Sequence, residues 1–187
     1  MKKSRILPII LLGTSAFALA ACNDPVDVSV FEDKDACYSA AGLSSDLTTA
    51  QCDTAFTAAQ AEHEKSAPRY ESLAICEEEH GVGNCGGDTA SQAGGGSSFM
   101  PFFMGYMVGN MMNNNGASTT YGRSVYPAKS GGFYTNSGQK FSSLNTTARV
   151  SPSKVTSRPS VTLGKPPMTK ATVSSRGGFG GSARAGG

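Results

Sequence analysis

Apolar and polar residues alternate over Val26-Asp27-Val28-Ser29-Val30, the period of a half-buried strand. Helical signals follow. Asp33 is a capping residue for a helix to about Ala41, and Gly42 stops it. Thr48-x-x-Gln51 is a capping box that opens a second helix, in which Cys52, Phe56, Ala59 and His63 recur on one core-facing side. Pro68 disfavours helix at Ala67. Arg69 and Tyr70 then read as extended, a pairing partner for the first strand. Ser72 caps a third helix with Leu73 and Cys76 turned inward and Gly81 as the stop.

The pattern changes after this. Residues 87–98 are a Gly/Ser-rich linker. Residues 99–112, Phe99 to Met112, carry no charge and five of the seven Met. Pro101 suits a first helical turn, and Gly105-x-x-x-Gly109 permits close backbone approach, so a short apolar helix is expected. Fourteen residues of helix span about 21 Å, short of a hydrocarbon core. A stretch apolar all round suggests entry into a membrane interface or self-association through Met100, Phe102, Phe103, Gly105 and Gly109. The plainer reading is a helix that covers the preceding domain. Residues 113–187 are rich in Ser, Thr and Gly and read as a mostly disordered tail, with a hairpin at 132–141 turning near Ser137-Gly138. The expected fold is therefore a small, α-rich α+β domain over residues 22–86, with short strands and about three helices, followed by linker, apolar helix and tail.

Composition supports a small folded mass. Of 187 residues only 16% are charged, Gly numbers 23 and Trp is absent. Charge is split along the chain. Residues 23–98 hold fourteen acids against Lys34, Lys65 and Arg69, whereas residues 113–187 hold ten Lys and Arg and no acid. Arg149, Lys154, Arg158, Lys165, Lys170 and Arg176 are thus candidates for contact with anionic surfaces.

The chain opens with Lys2, Lys3 and Arg5, then a short apolar run ending Leu19-Ala20-Ala21-Cys22. Residues 1–21 read as a lipoprotein signal peptide and Cys22 as the lipid-bearing residue of the mature chain. Acyl chains on Cys22 would hold the protein at a lipid bilayer. Asn23, in place of the Asp that resembles an inner-membrane retention signal, points to the outer membrane. The remaining Cys37, Cys52, Cys76 and Cys85 suggest two disulfides in an exported protein. Three connectivities are open. The segments Val30–Cys37 and Arg69–Cys76 align without gaps, which favours Cys37 with Cys52 and Cys76 with Cys85.

No catalytic constellation stands out. Glu77, Glu78 and Glu79 point about 100° apart on a helix and do not converge. Glu62-His63-Glu64 reads as the polar flank of the second helix. No metal-ligand spacing is present, so no metal and no cofactor is expected. Arg176-Gly177-Gly178-Phe179-Gly180-Gly181 resembles an RGG box, but an exported chain meets no nucleic acid.

The lipobox, Ser29-Val30-Phe31, Ala67-Pro68-Arg69-Tyr70, Phe99-Met100-Pro101 with Met104–Gly109, and Arg176–Gly180 occur in an order that resembles the YgiB-like lipoproteins of Gram-negative bacteria. That resemblance implies an envelope protein with a biofilm-associated label and brings no catalytic residues. The expected function is a non-enzymatic binding or structural role at the envelope, with anionic polymers, envelope proteins or a second copy as partners. The alternative is a periplasmic enzyme or its accessory subunit.

Overall fold

A computed structural model of the chain describes residues 24–43, 46–88, 97–112 and 116–175. Strand β1 (Val26–Phe31) leads into helices α1 (Lys34–Leu43), α2 (Thr49–Ser66) and α3 (Leu73–His80). Strands β2 (Cys85–Gly87), β3 (Phe99–Pro101), β4 (Gly105–Met112), β5 (Ser118–Pro127), β6 (Phe133–Thr135), β7 (Lys140–Phe141) and β8 (Thr146–Val150) follow. The short helices α4 (Pro152–Thr156) and α5 (Lys170–Ser175) come last. Local chemistry sets the helix starts. The Thr48 side chain accepts from the Gln51 N–H while Gln51 caps back, and Ser72 accepts from the Ile75 N–H.

The main sheet is antiparallel, in the order β7-β6-β5-β4-β1-β8, and β2 pairs with β3 separately. A flat six-stranded sheet would set its edges about 24 Å apart. Here Phe141 of β7 and Val150 of β8 share one buried cluster with Val28, Val30, Met107, Val125 and Val155. The sheet is therefore curled nearly shut, with that cluster inside and Val155 of α4 plugging it. Its outer face carries Phe31, Tyr106 and Val108, packed against Cys37, Cys52, Ala55 and Ala59 of α1 and α2. Gly122 of β5 makes this contact close: a Cβ there would lie 1.8 Å from the Ala55 carbonyl oxygen.

The disulfides join Cys37 to Cys52 and Cys76 to Cys85. The first ties α1 to α2. The second ties α3 to β2 beside Tyr70, Ile75 and Phe99.

The α-rich expectation is overturned. The fold is mostly β, and β1 is completed on both sides by β4 and β8, from residues read as apolar helix and disordered tail. Residues 99–112 form β3 and β4, not a helix. In β4, Met107 and Gly109 face the curled interior and Tyr106 and Val108 face the helices, so both faces are buried and the run is apolar throughout. Gly105 and Gly109 are consequently no helix-association motif. A Cβ on Gly105 would strike the Phe31 carbonyl oxygen, and one on Gly109 would strike Val155 and Val28. The basic segment supplies β5 to β8, α4 and α5, and its expected hairpin is β6–β7. Tyr70 pairs with Phe99 and Met168, not with β1. Leu73 is turned to solvent, and Ile75, Cys76 and His80 are the buried positions of α3. No helix among the described residues is long and apolar enough to cross a membrane.

Candidate functional site

The buried stripe of α2 is Cys52, Ala55, Ala59, Glu62 and Ser66, flanked by the half-buried Phe56 and His63. Glu62 is thus not a polar flank. It sits where α2 crosses β5, and its carboxylate can only accept. Arg123 reaches it with Nη1 at 2.8 Å while its Nε donates to the Val155 carbonyl at 2.7 Å. The other carboxylate oxygen accepts from the Ser124 hydroxyl at 2.9 Å and the Ser124 N–H at 3.3 Å.

From here the proton positions follow in sequence. Ser124 Oγ donates to Glu62, so it accepts from Tyr126, whose hydroxyl donates at 2.8 Å. The Tyr126 oxygen lies 3.4 Å from His63 Nδ1. With its own hydrogen committed to Ser124, that oxygen accepts, and Nδ1 is the protonated nitrogen. His63 Nε2 is left as a lone pair. Burial, with the nearby Arg69 guanidinium, lowers the His63 pKa to about 4, so the ring is neutral at pH 7.

His63 lines a cleft of about 270 Å³ with Glu64, Arg69, Asp88, Met100, Phe102 and Phe103. Phe103 meets the imidazole edge to face at 5.6 Å. At the back, Arg69 Nε donates to Asp88 at 2.5 Å with both side chains 2% exposed. The remaining guanidinium nitrogens donate to the carbonyls of Glu64 and Ala67 and to Thr162. This pair is fully engaged and braces the end of α2 against β2 and the final connector.

A second imidazole lies deeper. His80 Nδ1 donates to the Pro127 carbonyl at 3.0 Å, so Nε2 accepts from the Tyr70 hydroxyl at 2.8 Å. Tyr134 stacks on the ring at 5.7 Å. Burial lowers the His80 pKa to about 4. Being enclosed, His80 is a core group that joins α3 to β5 and β6.

The cleft offers a lone pair, an exposed carboxylate on Glu64 and aromatic edges, an arrangement suited to holding a hydrogen-bond donor. Ser124 is buried behind Tyr126 and cannot reach a substrate there. No metal-holding cluster of His, Cys, Asp and Glu occurs among the described residues.

Of the expected site residues, Met100, Phe102 and Phe103 come together at this cleft. Gly105 and Gly109 lie inside the fold. The basic residues are dispersed: Arg149 pairs with Asp27, Lys154 donates to the Ser137 carbonyl, and Lys170 pairs with Glu78. Arg158 and Lys165 follow α4 and line separate depressions. Cys22 and Arg176 lie outside the described residues. Sequence reading missed Glu62, Arg123, Ser124 and Tyr126 because the signal is tertiary. The local hint was Glu62 at i+3 from the buried Ala59.

A family profile described as "Protein of unknown function (DUF1190)" matches residues 25–187. The chain is 33% identical over 190 residues to a UPF0441 protein of Pectobacterium carotovorum, covering 94% of this chain and 80% of that one. A UPF0441 protein of Erwinia tasmaniensis is 32% identical over 191 residues, with the same coverage. A UPF0441 protein of Klebsiella pneumoniae is 33% identical over 199 residues, again with that coverage. The names of these relatives assign no reaction. No solved structure matches the chain.

Proposed function

We propose that this chain, which belongs to the DUF1190 family of proteins of unknown function, is a lipid-anchored binding protein of the bacterial envelope that performs no reaction of its own. The observation that carries the reading is the pair of disulfides, Cys37–Cys52 and Cys76–Cys85, which hold all three long helices of a small domain. Such bonds persist in oxidising compartments and are reduced in the cytosol. The lipobox ending at Cys22 supplies the means of attachment. Three residues separate Cys22 from Val26, so the tether spans four residue steps, at most about 14 Å. The domain would therefore ride close to the bilayer, with β1 rooted at the anchor. Asn23 favours the outer membrane.

The test is metabolic labelling with a palmitate analogue, followed by intact mass. Wild-type protein should be labelled and begin at Cys22, and Cys22→Ser should remain unprocessed and unlabelled. An unlabelled wild-type chain, or free thiols at Cys37, Cys52, Cys76 and Cys85 in freshly extracted protein, would overturn the reading.

A further inference from the structure

The outer sheet face is covered unevenly. Helix α2 packs on β4 and β5, and α1 packs on β1. Between α1 and the strands β8, β1 and β4 lies a groove of about 640 Å³, larger than the His63 cleft. The strand register lays out its floor. Ser29 stands opposite Thr147, Asp27 stands opposite Arg149, and Asn110 follows Gly109, the residue opposite Val28. Leu47 and Ala40 supply an apolar wall.

Two side-chain amides in this groove each spend their oxygen on a neighbour. Asn145 holds a left-handed backbone at φ 54°, and its Oδ1 accepts the Glu32 N–H at 3.2 Å. A backbone N–H can only donate, so the amide oxygen must face Glu32. Asn110 Oδ1 accepts the Thr120 hydroxyl at 2.9 Å. In both residues the NH₂ end is left over, and neither NH₂ has a partner among the described residues. The Ser29 and Thr147 hydroxyls are similarly unengaged there. Asp27 and Asp46 add carboxylates at the rim.

We propose that this groove binds an uncharged carbohydrate, up to two pyranose rings. Amide donors, hydroxyls and carboxylates that line one groove match the adjoining hydroxyls of a sugar, each of which donates and accepts. Leu47 and Ala40 suit the C–H face of a ring. The volume lies within the range of about 300–1,000 Å³ usual for small-ligand sites. The groove's lining holds the carboxylates of Asp27 and Asp46 and no Lys or Arg among the described residues, which disfavours an anionic ligand. The density of unengaged polar groups disfavours an acyl chain. The site belongs to the folded domain and holds whether or not Cys22 is acylated.

The test uses the full chain in a zwitterionic, sugar-free detergent. Maltotetraose, cellotetraose and tetra-N-acetylchitotetraose are titrated separately, and the Asn110 and Asn145 side-chain NH₂ signals are followed by NMR. At least one sugar should shift both signals with a Kd near or below about 1 mM. Asn110→Ala should weaken that binding at least about tenfold. Because this variant also strips Thr120 of its partner, Ser29→Ala combined with Thr147→Val serves as a second probe at unchanged melting temperature. Three outcomes overturn the proposal: no shift with any of the sugars in folded protein, shifts confined to β8 backbone amides as for an added peptide strand, or binding indifferent to both variants.

Discussion

Glu62→Ala tests the buried network most directly. The carboxylate is 7% exposed and accepts from Arg123 and twice from Ser124. Its removal leaves the Arg123 guanidinium, 11% exposed, without its countercharge. Breaking one side of a buried pair typically costs about 3–5 kcal/mol, mostly from the charge left behind. For a domain of this size each kcal/mol moves the midpoint by about 2–4 °C, so the melting temperature should fall by about 10 °C. Removing both charges in Glu62→Met with Arg123→Met should recover much of the loss, because nothing ionic then remains buried. Lys34–Asp53 is the internal control. It is short at 2.5 Å, but its side chains are 38% and 52% exposed. Asp53→Asn should leave the melting curve unchanged, since solvent screens that pair. The assay is thermal and urea unfolding of all the variants by circular dichroism at pH 7. A loss below about 1 kcal/mol for Glu62→Ala, the size found for surface pairs, would refute the reasoning. So would a double variant as unstable as the single one.

Four further outcomes are expected. At pH 7 the ¹⁵N spectrum should show His63 protonated on Nδ1, and Tyr126→Phe should abolish that preference by removing its acceptor. His80 has a folded pKa of about 4 against about 6.5 unfolded, so the fold favours its neutral form. That stability is complete above pH 6.5 and lost as pH falls towards 4, about 3 kcal/mol in all, and His80→Gln should flatten this part of the pH–stability curve. Gly122→Ala should cost about 1–3 kcal/mol in urea titrations, because its methyl group meets the α2 backbone at Ala55 and not a movable side chain. Replacing Cys37 and Cys52 together with Ala opens a 15-residue loop and should cost about 3 kcal/mol, slightly more than the same change at Cys76 and Cys85, which close 9 residues.

The stretch from Val26 to Gly81 was legible because its signals are local. Alternation over residues 26–30, the Thr48 capping box, Ser72 and the Gly81 stop act within a few residues, and β1, α2 and α3 lie where these signals put them. The hairpin at 132–141 was legible for the same reason, its turn residues being adjacent to the strands they join. The observed pairing of the cysteines is the one that the repeat of one unit along the chain favours over the other two connectivities. Only tertiary structure decided the rest. Strand β4 is buried on both faces, so its run of apolar residues has neither the period of a strand nor that of an amphipathic helix, and Gly105 and Gly109 imitate a helix-packing motif. Strand β5 looks like a polar tail because its small and polar residues answer to partners far away in sequence. Gly122 makes room for Ala55, while Ser124 and Arg123 meet Glu62 some sixty residues earlier. A polar residue whose hydrogen bonds close inside a fold has the same composition as one facing water. The difference lies in a contact that exists only once α2 has packed across β5.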